Sequence, residues 1–273
     1  MPTPLTASLE IRDPLLSTYA DVLTPTVRDA LQVLSPLDDE RHALMAVRLA
    51  RRTARATQRQ PIAFLEASAT IGRRTIRVED ARAGRFEGAD IPPDLQRQWI
   101  QGTGPGAKPD SRIDRSIRNV AYALLSGADG WMFDGEDALG QLSTMSLDNQ
   151  RNLRLALARD GVFLAAAEHV AAEMNAWAAS FLGRPTIADW RAQLDFTTVI
   201  FRARGLHLDD RHIRWRGGRG FSASIVDAVT FVANNAATLR AAGRSLVLYL
   251  PKIQTAEEAA LWGDILSALE QHL

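Results

Sequence analysis

Residues 245–273 read SLVLYLPKIQTAEEAALWGDILSALEQHL. The first six form a continuous apolar run of the kind a strand shows when helices cover both faces of a parallel sheet. Pro251 ends that run, because proline cannot donate to a ladder. Thr255 then stands where a helix N-cap would, and Glu258 completes the spacing of a capping box. The stretch is therefore one strand followed by one helix, joined by a short rim turn that carries Lys252.

The same unit recurs upstream. Residues 223–242 read as a helix with Gly243 behind it, and residues 196–204 as a strand rich in β-branched and aromatic side chains. GWMFDGED at 130–137 reads as a short buried strand ending in acids. Before it, residues 112–126 place Ile113, Ile117, Val120 and Leu124 on one helical face, and Gly127 takes the C-cap. Residues 149–158 and 163–182 also read as helices. Alternating strands and helices imply parallel strands joined by crossovers. Three strands are clear, and a fourth is expected before residue 110. Polar residues close these strands: Asp134, Glu136 and Asp137; Arg202 and Arg204; Lys252. In a (β/α)8 barrel that edge is the catalytic rim. A doubly wound sheet with charged strand ends is the alternative.

The first part of the chain reads as helical, at 24–34 and 37–58. Asp38 and Asp39 sit at the second helix's start, where they favour its dipole. Leu37, Leu44 and Val47 make its apolar stripe, and the five arginines from Arg48 to Arg59 read as a solvated face. Residues 68–110 read as loop and connection. The glycines from Gly102 to Gly106 lack the Lys-Ser/Thr of a phosphate-binding loop.

Composition narrows the classes. The chain has 273 residues, 46% hydrophobic, with 32 basic against 32 acidic side chains. A zero net charge argues against a nucleic-acid partner. The absence of cysteine excludes disulfides, thiolate nucleophiles and Cys-type zinc sites. Early prolines and acids do not make a secretory leader, and no run approaches the ~18 apolar residues of a membrane span. The expectation is a cytoplasmic protein with no membrane partner.

Three segments, in order, resemble the malate synthase family. MFDGEDA at 132–138 is similar to its second-strand signature, with Phe133 and Gly135 as departures. FRARGLHLDDRHIRWRG at 201–217 resembles its Arg-x-Arg-Gly-(Trp/Leu)-His-Leu block. LYLPKIQTAEEAALWGDILSALE at 248–270 resembles the next strand and helix almost throughout, and FSASIVDAVTFVANNAATLRAAG at 221–243 the helix between. The barrel-entry strand departs, reading QWIQGTGP at 98–105, and residues 141–193 are more helical than the main family type. The branch is therefore expected to be divergent. The resemblance implies an α/β fold: the first half of a TIM-type barrel over residues 90–273, with a helical insertion near 141–193, preceded by an N-terminal helical clasp over residues 1–89.

It also implies a reaction, the Claisen condensation of glyoxylate with acetyl-CoA to give malate and CoA. Two oxyanions develop, and fixed positive groups aimed at them would supply much of the catalysis. By resemblance Arg202 is the catalytic arginine, and a guanidinium suits planar oxyanions because it stays charged and binds them by a rigid fork. Its alternative is a structural ion pair with Asp134, Glu136 or Asp137. Arg204 shares its strand face at period two and is expected as an accessory. Asp134, Glu136 and Asp137 are expected as supporting rim residues, and Lys252 as a substrate-positioning one. His207 and His212 read as packing or capping histidines. The resemblance implies Mg²⁺ held by carboxylates on strands beyond residue 273, with no metal ligand in this chain, and a general base that also lies beyond it. The chain alone is accordingly expected to be inactive, and a second chain completing the barrel is an expected partner. Two rivals are a malyl-CoA or citramalyl-CoA lyase-like enzyme and a non-catalytic half-barrel subunit.

Overall fold

The computed structural model describes residues 9–70, 75–88, 90–95, 99–103, 113–135 and 144–273; at 94, 101–103 and 113–116 it describes the backbone only. In chain order the elements are β1 (Leu9–Ile11), α1 (Leu15–Thr18), α2 (Pro25–Leu34), α3 (Pro36–Thr57), α4 (Val78–Arg82), β2 (Trp99–Thr103), α5 (Ile113–Leu125), β3 (Gly130–Asp134), α6 (Met145–Leu157), α7 (Gly161–Leu182), α8 (Trp190–Phe196), β4 (Thr198–Arg202), β5 (Asp209–Trp215), β6 (Gly220–Ser222), α9 (Ala223–Ala241), β7 (Val247–Tyr249) and α10 (Ala256–His272).

The caps explain where the helices begin. Thr24 accepts the Val27 amide, Asp160 that of Val162, Ser222 that of Ile225, and Thr255 that of Glu258. Each satisfies one of the donors a helix start leaves free. Gly127, Gly183 and Gly243 end α5, α7 and α9 with positive φ of 78°, 73° and 65°, where a Cβ would be strained.

β2, β3, β4 and β7 form one parallel sheet in that spatial order. Neighbours in sequence are neighbours in space, with no reversal of the kind a doubly wound sheet has at its switch point. The expected fourth strand is β2, within residues first read as connection. Its Trp99 ring lies over Gly130, where an added Cβ would meet it at 2.5 Å. A glycine is therefore what lets β3 start beside β2.

Period-two alternation sorts the sheet faces. Trp131, Phe133, Val199 and Phe201 are buried on one face. Phe133 stacks on Phe201 at 5.7 Å, and Phe201 on Phe231 of α9 at 4.6 Å. α9 is buried nearly all round its first turns because it lies between this aromatic layer and helices α2 and α6. Helices α2 and α3 pack on α10 as well, so the N-terminal helices share the core of the sheet unit. The run at 245–250 differs from expectation: β7 is a three-residue edge strand, partly buried at Val247 and Leu248 and exposed at Tyr249. One flank has no strand partner among the described residues, so its side chains are only half covered.

A second sheet, in the order β1-β5-β6, is antiparallel and pairs β1 with the β5–β6 hairpin, which lies in the crossover between β4 and α9. Asp38 ties it to α3. This carboxylate is fully buried and accepts from Arg41 Nε and Nη2 at 3.0 and 2.8 Å, Trp215 Nε1 at 2.6 Å and the Ser222 amide at 3.1 Å. Asp38 is thus a tertiary knot rather than an exposed acid complementing a dipole. The apolar stripe needs a similar correction: Leu37 and Leu44 pack on the core, but Val47 is exposed. Among the described residues no helix is long and apolar enough to cross a membrane.

Candidate active site

The strand register aligns the ends of four strands. Thr103 pairs with Asp134, Asp134 with Arg202, and Arg202 with Tyr249. Since Val199 and Phe201 turn towards the helices, Ile200 and Arg202 turn to the opposite face, as do Met132 and Asp134. Arg202 Nη1 donates to Asp134 Oδ2 at 3.1 Å, and its guanidinium carbon lies 5.4 Å from the Tyr249 ring centroid. The cross-strand ion pair that the sequence left open is therefore formed. It does not close the site, because the Arg202 side chain keeps 17% of its surface exposed and Asp134 keeps 23%. Directly after Asp134, a Cβ at Gly135 would come 3.0 Å from the Arg202 carbonyl oxygen. The glycine that departs from the family pattern is what lets the chain leave β3 close against β4.

Arg204 lies two residues past the arginine that ends β4, so period two does not carry its side chain to the rim. It is fully buried, with Asp227 accepting from its backbone amide and Nε at 2.9 Å each and from Nη2 at 2.7 Å. Asp210 takes a second bond from Nη2 at 2.7 Å and also accepts the amides of His212 and Ile213. Arg204 is thus a clamp that ties the end of β4 to β5 and α9, supporting the segment that leads away from Arg202. His212 is buried in β5 beside this clamp.

Electrostatics around the clamp pull in opposite directions. Burial drives the Asp210 carboxyl up, but the Arg204 charge and two backbone amides outweigh it and leave it below the usual range. Asp227 is raised, because its burial outweighs the same arginine. The Arg204 guanidinium is held further towards its charged form than usual: burial opposes the charge, and the two carboxylates overcome that. A depressed carboxylate adds stability above its unfolded pKa, near 3.9, and loses it as pH falls through the lower folded value. Asp227 acts with the opposite sign. Acid titration of stability by circular dichroism should therefore show a loss below about pH 4 that is shallower in Asp210→Asn. An unchanged slope in that variant would remove Asp210 as a source of the acid sensitivity.

Lys252 occupies the rim turn after β7 and holds a left-handed φ of 55°. The turn is pinned from the N-terminal helices. Arg48 of α3 donates to the Lys252 carbonyl at 3.2 Å and to Glu258 Oε2 at 3.3 Å, and the Gln254 amide donates to the same carboxylate oxygen at 2.9 Å. Arg48 therefore does not belong to the solvated face assigned to its helix; Arg51, Arg52 and Arg59 are exposed. Glu136 and Asp137 lie outside the described residues, as do residues 104–106 of the glycine-rich run. Tyr249 and Arg48 were not singled out by sequence. Tyr249 could have been found by aligning strand ends, whereas nothing local marks Arg48.

Among the described residues no group of three His, Asp or Glu side chains converges to hold a metal ion. Asp134, the described acid on the row, faces Arg202. A cleft of about 200 Å³ opens at the other end of β4, lined by Phe196, Thr198, Arg244 and Ser245 among others. It lies away from the Arg202 row, and we do not place the chemistry there.

Comparison with known proteins bears on the same strands. The family model for the malate synthase TIM-barrel domain matches residues 198–273, which runs from β4 through α10. A malate synthase from Myxococcus xanthus is 31% identical over 260 residues, covering 93% of this chain and 40% of the relative. Malate synthase A from Escherichia coli is 30% identical over 180 residues, 66% of this chain and 28% of the relative. A bifunctional glyoxylate cycle protein from Caenorhabditis elegans is 31% identical over 188 residues, 69% of this chain and 16% of the relative. The chain thus spans less than half the length of each of these relatives.

Proposed function

The chain belongs to the malate synthase family, and on that premise we propose that its β2-β3-β4-β7 sheet is an arc of a (β/α)8 barrel whose rim serves the condensation of glyoxylate with acetyl-CoA. A base removes a proton from the acetyl methyl group. The enolate carbon bonds to the aldehyde carbon of glyoxylate, whose oxygen takes up a proton, and water then splits the thioester to give malate and CoA. The observation that carries this reading is the position of Arg202: on the strand that opens the family match, at its C-terminal end, half-buried and oriented by neighbours on both sides. There its guanidinium would neutralise the enolate and aldehyde oxygens as charge grows on them. Asp134 holds the fork in place, and Lys252, on its pinned turn, adds a positive group beside the entering carboxylate.

By resemblance the base and the Mg²⁺ carboxylates belong to further strands of the barrel, and we also propose that residues 1–273 do not turn over without a second chain that supplies those strands. The test is glyoxylate-dependent release of CoA from acetyl-CoA, measured on residues 1–273 alone and again with such a chain added. Turnover only in the mixture is expected. Turnover by residues 1–273 alone would overturn the division of labour, and none from the mixture would overturn the reaction.

A further inference from the structure

We propose that the last turns of α3 are the seat of the next barrel helix beyond α10, and that Arg51 and Arg55 grip the acidic first turn of that helix. This rests on the sheet being an arc of a barrel closed by a second chain, and it adds where that chain is held.

Helical phase places the seat. Leu37, Arg41, Leu44, Arg48, Arg51 and Arg55 are spaced alternately by four and three residues, so they form one stripe along α3. The first four positions are seated. Leu37 and Leu44 pack on the core, Arg41 is 2% exposed, and the Arg48 side chain is 16% exposed. Arg51 is exposed and Arg55 half-buried, although they continue the same stripe. A solvated face would lie on the other side of the helix, where Ala46, Ala50 and Thr53 are. The arginines at the end of α3 therefore continue the face on which the helix rests, beyond the start of α10.

The groups under the seated half give the chemistry of the partner. Arg41 shares Asp38 with the amide of Ser222, the N-cap of α9. Arg48 donates to Glu258 in the first turn of α10 and to the Lys252 carbonyl just before it. The step from Arg41 to Arg48 is about 10 Å along the helix axis. It carries α3 from the start of one barrel helix to the start of the next, and packed helices lie about 8–10 Å apart. Arg55 stands the same step further on, one more helix spacing. In a closed barrel the helix that follows the strand beside β7 begins there. Helix starts favour carboxylates, and α10 carries Glu257 and Glu258 in its first turn. Guanidinium groups over such a turn repeat the contact that Arg48 makes. The exposure of this end of α3 is then the mark of a surface that closure covers.

The probe is the part of the Myxococcus xanthus malate synthase beyond its match to this chain, co-expressed with residues 1–273. Affinity is read by sedimentation velocity as the purified complex is diluted. Arg55→Glu should weaken association by about 30-fold or more, the scale found when one partner of an interfacial charge pair is lost. Arg51→Glu should weaken it in the same direction. Thr53→Glu puts the same charge on the opposite face and should change the affinity by less than about 2-fold. Added salt should loosen the wild-type complex more than the Arg55→Glu complex. An Arg55→Glu chain that binds as tightly as wild type, or a Thr53→Glu chain that binds as poorly as Arg55→Glu, overturns the seat. Self-association of residues 1–273 that Arg55→Glu abolishes also overturns it, because the surface would then take a second copy. Absence of a wild-type complex overturns closure by a second chain instead, the premise on which the seat stands.

Discussion

Asp38→Ala is expected to lower the unfolding free energy by about 3–5 kcal/mol, the range found when one partner of a buried ion pair is removed. The carboxylate is 0% exposed and serves donors from two distant parts of the chain. Arg41, itself 2% exposed, would keep Asp209 as counter-charge, a weaker one because that side chain is 49% exposed. The Trp215 indole and the Ser222 amide would lose their acceptor inside a dry interface. These costs do not offset one another, since each removes an acceptor or a counter-charge from a donor that Asp38 now serves. Asp38→Asn should cost less, because its carbonyl oxygen can still accept from Trp215 or Ser222 while the charge facing Arg41 is gone. Urea titration of both variants checks this. A loss no greater than that of a surface substitution, about 0.5 kcal/mol, would mean that α3 is not fastened to the β5–β6 hairpin in this way.

Asp38 also shows where the sequence stops being legible. Two acids opening a helix look like dipole complements, and for Asp39 an exposed position is what the structure shows. What separates them is a tryptophan 177 residues further along, which no local pattern reveals. β3, β4, α9 and α10 could be read because apolar runs and caps act over a few residues. β2 was obscured by Gln101 and Gly102, which blunt its apolar character. β5 was missed because its buried positions include Asp210 and His212, so that alternation in burial does not appear as alternation in hydrophobicity.

The arginine pair illustrates the same limit at the candidate site. Period two placed Arg202 and Arg204 on one face, but β4 ends at Arg202 and the backbone turns. One arginine remains at the rim, and the other becomes the buried core of a two-carboxylate clamp. The Arg-x-Arg spacing thus joins a group suited to chemistry to one that fixes the chain behind it. Of the rim residues expected from sequence, the structure brings Asp134 to Arg202 and puts Lys252 on a turn held by Arg48. The α3 helix therefore reaches the rim through a side chain that composition had assigned to solvent.

Arg202→Ala is expected to reduce the kcat of the proposed condensation by roughly 10²–10³-fold, the usual cost of removing one donor aimed at a developing oxyanion. The loss should fall on kcat and kcat/KM together, because the charges it neutralises exist mainly in the transition state. Stability should change little, since the pair it forms with Asp134 is partly exposed and an exposed pair contributes little to folding. Unaltered circular dichroism and urea midpoint would therefore accompany the kinetic loss. Arg202→Lys distinguishes charge from geometry. Lysine keeps one positive charge but loses the fork that spans two oxygens and the planar surface that lies on Tyr249. If charge alone mattered, lysine would restore most of the rate. If the row of Asp134, Arg202 and Tyr249 orients a planar cation, lysine should recover no more than about one tenth of it. Near-complete recovery in Arg202→Lys would show that the alignment of three strand ends is incidental to the reaction, and an Arg202→Ala protein as fast as wild type would return this residue to its other reading, a structural bridge to Asp134.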